Sequence, residues 1–518
     1  MNPILVGGKG VRVHRALLVA SSALCCGLSV SALAQTTPDS LVRSTIDPNN
    51  VDLATGTLQL VAPNVSLGSG NSVLADPMRW KGSLNWQPTY RIVFTKTVST
   101  ASVSLPDKSV TFTLSGSTYT SDQQDGSTLI QSGTNYIYTS PNGTRITFDG
   151  STNTVGQNAN LIQYPNGRTV SLTYDTISVN ILNSTTLCTR VTSATDSNGY
   201  KINYHYANQT GVCPILQRVS STTTINTVTG ISGPGTTYSY ASTNSLSSAT
   251  TTFTDPMGRI TTYRMGTTSP TLQYIYGLTR PGSSNEDVTI TYDSSKRVAS
   301  IANATGTTTY GYVDSGSSRT TTVTDPLGHI TTYVFDMTLH RPTSITDADG
   351  KVWTKQYDSA GRLYIDTAPE GNHTQYTYDS RGNVTAIYGI SKSIPGYPNK
   401  VTTRGFDSVC VNAAKCNKPN WVQDPNLDRT DYSYDLTTGN ILTVQAPAAT
   451  TSGPRPTTTF SYATVNGAQV LSGTSICLTS ATCVGTTSES KTAIGYNSNG
   501  LPTTISKQAG DGSIVATT

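Results

Sequence analysis

From residue 325 to residue 382 a four-residue turn returns at an almost constant interval. It runs Asp325-Pro-Leu-Gly328, Asp336-Met-Thr-Leu339, Asp347-Ala-Asp-Gly350, Asp358-Ser-Ala-Gly361, Ala368-Pro-Glu-Gly371 and Asp379-Ser-Arg-Gly382, in steps of 11, 11, 11, 10 and 11 residues. Asp first, Pro second and Gly fourth suit a type I turn. The Asp side chain bonds the turn's own backbone, Pro presets φ, and Gly accepts the positive φ that follows. Removing the turn leaves about seven residues per arm, an ordinary strand length. A chain reversed this often has no room for a helix of useful length.

Alternation within the arms agrees. Tyr333 and Phe335, Trp353 and Tyr357, Leu363 and Ile365, and Tyr376 and Tyr378 are spaced to share a face, with Thr or Gln between several of them. Period two between turns on an 11-residue beat predicts an all-β antiparallel meander. The excess of Tyr (28) over Phe (7) and Trp (4) predicts sheet faces that stay partly wet, since a tyrosine packs its ring while its hydroxyl keeps a partner.

Counting from the fourth turn residue, the Asp of the next Tyr-Asp falls eight residues on: Gly167 to Asp175, Gly328 to Asp336, Gly350 to Asp358 and Gly371 to Asp379. Leu427 to Asp435 keeps the spacing without the glycine. Gly199 and Gly258 start the same frame but end in Tyr206-Ala207 and Met265-Gly266. Pro141-Asn-Gly143 through Phe148-Asp149 reads as a shortened copy. The array is therefore expected to run from about residue 140 to the end. Past residue 384 the anchors Phe406, Tyr434, Tyr462 and Tyr496 stand 28, 28 and 34 residues apart, so the units lengthen.

Tyr357-Asp358-Ser-Ala-Gly361-Arg362-Leu363 and Tyr378-Asp379-Ser-Arg-Gly382-Asn383-Val384 resemble the Y-D-x-x-G-R-L/N-V signature of RHS/YD-repeat proteins. Thr324-Asp325-Pro-Leu-Gly328 and Thr346-Asp347-Ala-Asp-Gly350 are similar to that family's T-D-x-x-G spacers, and Val51-Asp-Leu-Ala-Thr-Gly56 to its V-D-x-x-T-G lead-in. The resemblance implies a sheet of YD-repeat hairpins coiling into part of a hollow β-shell. Such shells serve bacterial contact-dependent toxins, insecticidal toxin complexes and teneurins. It also implies a partner, a C-terminal toxin domain released behind a D-P-x-G-L-type motif. Asp255-Pro-Met-Gly-Arg259 and Asp325-Pro-Leu-Gly-His329 lack the Leu of that motif, so a chain without the closing core or the effector is expected here.

The first 34 residues read as an export signal. Lys9, Arg12 and Arg15 precede an apolar run from Ala16 to Val30, and Ala32-Leu-Ala34 precedes Gln35 as a cleavage site. That run is short of the ~20 residues a membrane span needs, and no later segment is apolar enough to be one. A secreted or cell-surface chain is expected. Cleavage removes Cys25 and Cys26 and leaves Cys188, Cys213, Cys410, Cys416, Cys477 and Cys483. Outside the cytosol these read as disulfides. Cys410 with Cys416 and Cys477 with Cys483 share one spacing and are expected to close small loops projecting from a sheet edge; whether Cys188 pairs with Cys213 is open. The organisation expected is a signal at 1–34, a β-rich leading segment at 35–139, degenerate YD-like repeats at 140–324, well-formed repeats at 325–390, and longer repeats with disulfide loops at 391–518.

A net charge of +4 with no basic cluster gives no case for nucleic acid. Phosphate-loop, dinucleotide and hydrolase-elbow motifs are missing, so no catalytic residue, cofactor or metal site is expected. Zinc would want closer cysteine pairs with further ligands. His205, His329, His340 and His373 read as surface or turn residues, His329 and His340 lying at opposite ends of the strands. Asp347 and Asp349 begin like a calcium loop, but its later ligands do not follow. The residues that carry the pattern, Asp325, Gly328, Asp347, Gly350, Tyr357, Asp358, Gly361, Arg362, Tyr378, Asp379 and Gly382, have structural jobs. Three functions fit: a shell scaffold for an effector, an adhesin whose aromatic rows contact cell-surface glycans, and a carbohydrate-active enzyme of propeller or β-helical form.

Overall fold

The computed structural model describes residues 45–517, apart from 63–64, 69–72, 77, 82–85, 107, 123, 151–156, 182–183, 207–212, 214–216, 241–248, 270–271, 393–398, 451–452, 478–482 and 513. The expected export signal, Cys25, Cys26 and the Ala34–Gln35 bond lie outside the described residues. Among the described residues there are forty strands and one four-residue helix, Ala413–Cys416.

Thirty-five of the strands belong to one antiparallel sheet. From Thr128–Ser132 to Ile514–Thr517 each strand pairs with the next in sequence, across residues 140, 325 and 391 alike. A four-strand meander from Val93–Lys96 to Thr118–Ser121 joins through strand Gln157–Gln163, whose first residues pair with Val93 and Phe94 while its last pair with Thr169–Ile181.

The turns follow from their residues. In the 358–361 turn the Gly361 N–H donates to the Asp358 carbonyl at 2.9 Å, and Gly361 takes φ +74°. Two expectations are corrected. The turn after Asp336 is one residue longer than Asp336–Leu339, and His340 takes the left-handed position at φ +52°. Leu363 and Ile365 do not share a face. Leu363 pairs with Tyr357 and Ile365 with Gln356, because Tyr364 is an extra, bulged residue.

The core lies between the sheet and the segment that precedes it. Trp86 packs its ring 4.7 Å from Phe253 and 5.1 Å from Tyr263, with Trp80 at 5.5 Å. The Thr321 hydroxyl donates to Leu53 O at 2.8 Å, Arg319 Nη1 to Ala54 O at 2.8 Å, and the Tyr310 hydroxyl to Asp47 Oδ2 at 2.6 Å. The continuous apolar cluster runs from Val51 to Phe335 and stops there. Beyond it, strand His373–Tyr378 is half-buried at every position.

The sheet coils until one row of its turns meets another. Asn417 Nδ2 donates to Pro141 O at 3.0 Å, Gln469 N to Asn166 O at 2.6 Å, and Asn499 Nδ2 to Asn198 O at 2.8 Å. These contacts join residues 276, 303 and 301 positions apart.

Candidate functional site

The feature that recurs along the sheet is the tyrosine–aspartate unit, and each of its residues has an assigned contact. Asp358 Oδ1 accepts from the backbone N–H groups of Ala360 (3.0 Å) and Arg362 (2.9 Å), and Oδ2 accepts from Arg362 Nε at 2.7 Å. Asp379 repeats this with the N–H groups of Arg381 and Asn383 at 2.9 Å, Asn383 Nδ2 replacing the arginine at 2.9 Å. Asp325 caps Leu327 and His329, whose ring Nδ1 lies 2.9 Å from Oδ2. That imidazole, with the His329 backbone N–H, holds the Asp325 carboxyl below its ordinary range. Asp347 caps Asp349 and Lys351. Gly328, Gly350 and Gly382 share the left-handed conformation of Gly361. Thus the aspartates are occupied by their own turns.

Tyrosine has a longer-range job. Opposite Tyr357 the returning strand carries its extra residue, which interrupts the ladder at Leu363. A backbone carbonyl in such a dry place needs a donor. The Tyr378 hydroxyl, in the next repeat, donates to Leu363 O at 2.5 Å. The same link recurs at other register shifts. Val191 O, opposite Tyr174, accepts from Tyr206 at 2.7 Å. Val298 O, opposite Tyr292, accepts from Tyr312 at 3.0 Å. Pro342 O, opposite Phe335, accepts from Tyr357 at 2.7 Å. Ile441 O and Leu471 O, opposite Tyr434 and Tyr462, accept from Tyr462 (2.9 Å) and Tyr496 (2.6 Å). The hairpin 306–324 has no register shift, and at the corresponding position of the next strand stands Phe335, which has no hydroxyl to place.

Arginine completes the unit. At three of these carbonyls the preceding residue lies over the ring that reaches it: Arg362 over Tyr378 at 4.6 Å, Arg297 over Tyr312 at 4.6 Å, and Arg190 over Tyr206 at 4.3 Å. Cation–π attraction of this kind stabilises by about 0.5–2 kcal/mol, more as water is removed. Arg362 thereby ties its own turn, through Asp358, to the next repeat's tyrosine. Burial raises the hydroxyl pKa of Tyr357, Tyr378 and Tyr434, and pushes that of Tyr462 up to about 12. These hydroxyls remain donors at any ordinary pH.

One copy is missing from the sequence reading. Tyr292-Asp-Ser-Ser-Lys296-Arg297-Val298 has the full geometry, with Asp293 bound by Arg297 N (2.9 Å) and Nε (2.8 Å) and Lys296 at φ +64° where glycine normally stands. The motif is visible at 292–298 once the glycine is not required.

The cysteines pair as Cys188–Cys213, Cys410–Cys416 and Cys477–Cys483. The Cys410–Cys416 loop does not project. It folds into the Ala413–Cys416 helix, capped by Asn412, and packs against the 140–143 turn of the earlier coil, where a Cβ on Gly143 would stand 2.5 Å from Ala414 Cα. The adjacent Asn417 is buried and bridges Pro141 O and Asn383. Burial also lowers the Lys418 ammonium to about 8, its Nζ donating to Gly439 O at 2.5 Å. His205 bonds Thr223, and His373 begins its strand. Among the described residues no three His, Cys, Asp or Glu side chains gather as a metal site, and no helix is long and apolar enough to cross a membrane.

The RHS Repeat family model matches residues 335–368, the stretch from Phe335 through the Asp358 turn. No curated protein matches the chain. Among solved structures it is similar to a Photorhabdus luminescens Tc holotoxin pore carrying a TccC3 mutation, at 11% identity and a TM-score of 0.38, over 89% of this chain and 25% of that one. It is also similar to TcdB2-TccC3, at 10% identity and a TM-score of 0.24, over 88% of this chain and 31% of that one. The chain therefore spans about a quarter to a third of the length of those structures' chains. The matched repeat lies on the same Tyr, Asp, Gly and Arg contacts that recur along the sheet, so the chain contains an RHS repeat at residues 335–368.

Proposed function

We propose that this chain is an exported wall segment of an RHS-type shell, a scaffold that encloses or presents an effector polypeptide in toxin delivery. The observation that carries this reading is the uneven cover of the sheet. Up to Phe335 one face is packed by the preceding segment, and from there to the end the sheet goes on coiling with its aromatic face half-open. Trp353, Tyr376, Tyr432 and Phe460 lie on this stretch and are half-buried. A wall built only for its own stability would bury such a row. A wall around cargo keeps it available. The Tyr–Asp–Arg contacts account for the repeat without any reacting group, so the role proposed is architectural and not enzymatic.

The test is protection of a passenger. A protease-sensitive reporter is fused after Thr518 and digested beside the free reporter. Slower digestion of the fused reporter, reversed by Tyr376→Asp with Tyr432→Asp, supports enclosure. Equal digestion rates sink it. Glycan binding by the same aromatic row is the second reading, favoured by the half-exposed Trp353 and Tyr364. Binding to a glycan array that Trp353→Ala with Tyr364→Ala abolishes would favour it over enclosure.

A further inference from the structure

Residues 406–420 connect the strands Lys400–Gly405 and Trp421–Gln423, and three of their polar side chains meet at one point. Lys415 lies in the helix Ala413–Cys416, which Asn412 caps and the Cys410–Cys416 bond closes. Its Nζ donates to Asp407 Oδ1 at 2.5 Å and to Asn420 Oδ1 at 2.6 Å. Asn420 Nδ2 donates to the same Asp407 Oδ1 at 2.9 Å. The backbone around them is held as well. Asn420 N donates to Gly405 O at 2.6 Å, Tyr432 N donates to Asn420 O at 2.8 Å, and Arg381 Nη2 donates to Asp407 O at 2.5 Å.

An ion pair explains why the buried Lys415 faces Asp407, but it does not explain the place of the amide. Any carbonyl or hydroxyl would satisfy the ammonium's remaining donors. Here the second acceptor is a carboxamide oxygen, which brings the amine beside the Asn420 carbonyl carbon. The carboxylate oxygen that binds the amine also binds the amide nitrogen. A nucleophile, an acyl carbon and a base within hydrogen-bond reach of both nitrogens are what acyl transfer needs.

We propose that Lys415 and Asn420 condense into an intramolecular amide, with Asp407 moving the protons. Burial pushes the Asp407 carboxyl up, but the bonds from Lys415 and Asn420 outweigh it and hold it below its ordinary range, so it starts as the carboxylate. It takes a proton from the ammonium, and the freed amine attacks Cγ of Asn420. The Nζ–Cγ bond forms and the Cγ–Nδ2 bond breaks. Of the ammonium's three protons, one stays on the new amide nitrogen, and two pass through Asp407 to the departing nitrogen. That nitrogen leaves as ammonium, and Asp407 ends as the carboxylate it began as. No oxidant or co-reactant is required. The new bond locks the segment from which Asn417 reaches Pro141 O, and reductants that open Cys410–Cys416 do not break it.

Tryptic mapping of the purified, folded chain, denatured, reduced and alkylated before digestion, tests this. An acylated Lys415 is not cut, and Lys418 precedes Pro419, so one peptide spanning 405–429 is expected, lighter than its sequence by one ammonia. Separate peptides 405–415 and 416–429 at full mass overturn the proposal. A 405–429 peptide lighter by one water places the bond on Asp407 and overturns the assignment of Asn420. Asp407→Asn, with circular dichroism unchanged, should restore cleavage after Lys415, because the base is gone. The same cross-link in that variant overturns the part given to Asp407. The map of the unsubstituted chain decides the bond itself even where the variant does not fold.

Discussion

Replacing Tyr378 by Phe removes one oxygen atom and nothing else. The ring stays under Arg362 and against Val384, and only the 2.5 Å hydrogen bond to Leu363 O is lost. Leu363 has no exposed surface, and its carbonyl sits at the bulge opposite Tyr357, so water does not replace the donor. Losing a net hydrogen bond costs about 1 kcal/mol, and leaving a buried acceptor unpaired raises this to about 1–3 kcal/mol. A repeat sheet of this length is not a two-state system, so the loss is best read locally. At ~1.4 kcal/mol per tenfold, hydrogen exchange in peptides covering 363–367 and 373–390 should quicken about 5- to 150-fold, while peptides covering 306–324 stay unchanged. Phe335→Tyr is the converse. It places a hydroxyl at a site buried to 1% where the preceding hairpin has no bulged carbonyl to receive it, and it should destabilise by a similar amount. Unchanged exchange at 363–390 in Tyr378→Phe, or a stabilising Phe335→Tyr, would refute the coupling of bulge to hydroxyl.

Leu427 holds φ +69° in the turn after Asp424 and is 75% exposed, so Leu427→Gly relieves about 1–2 kcal/mol of backbone cost against a smaller gain in unfolded-chain entropy. A net stabilisation of roughly 0.5–1 kcal/mol should appear as slower exchange around 421–434. Lys418 has its folded pKa lowered to about 8 from 10.5, so between those values the unfolded chain holds more protons and this group's contribution to stability rises with pH. Below pH 8 the buried ammonium costs at most ~3 kcal/mol, less after its partial exposure and its bond to Gly439 are discounted. Lys418→Met should therefore stabilise the 413–439 region at pH 7 by roughly 1 kcal/mol and flatten its pH dependence, measured by exchange at pH 7 and pH 10. The repeat tyrosines have the opposite sign. Their folded values are raised above 10.0, so their contribution is intact below pH 10 and falls as the pH climbs past it. Tyrosinate absorbance should then appear together with loss of the β-sheet signal and not ahead of it. Opening Cys410–Cys416 with paired Ser substitutions should cost about 2 kcal/mol and quicken exchange at both 412–418 and 140–143. Opening Cys477–Cys483 should leave 140–143 unchanged.

What the residues determine by themselves is local. The Asp–Pro–Gly spacing makes turns because the side chain bonds backbone two and four residues on, and period-two alternation makes strands because successive side chains point to opposite faces. From these the all-β meander, the turn aspartates and the resemblance to RHS/YD repeats can be read without coordinates. The frame slips where the glycine is replaced, as at Lys296 and His340, because other residues adopt the left-handed conformation when the surrounding hairpin requires it. It slips again at Leu363 and Ile365, where a bulged residue shifts the face and no local signal announces it. The tyrosine's second purpose was equally hidden: its hydroxyl serves a carbonyl on the preceding strand, freed by that bulge, and the arginine beside that carbonyl covers the ring. The seam is decided only by tertiary structure. Its partners, such as Pro141 with Asn417 and Asn198 with Asn499, are 276 and 301 residues apart and meet only because coiling accumulates over many strands. The same accumulation settles which turns of one row meet those of the other.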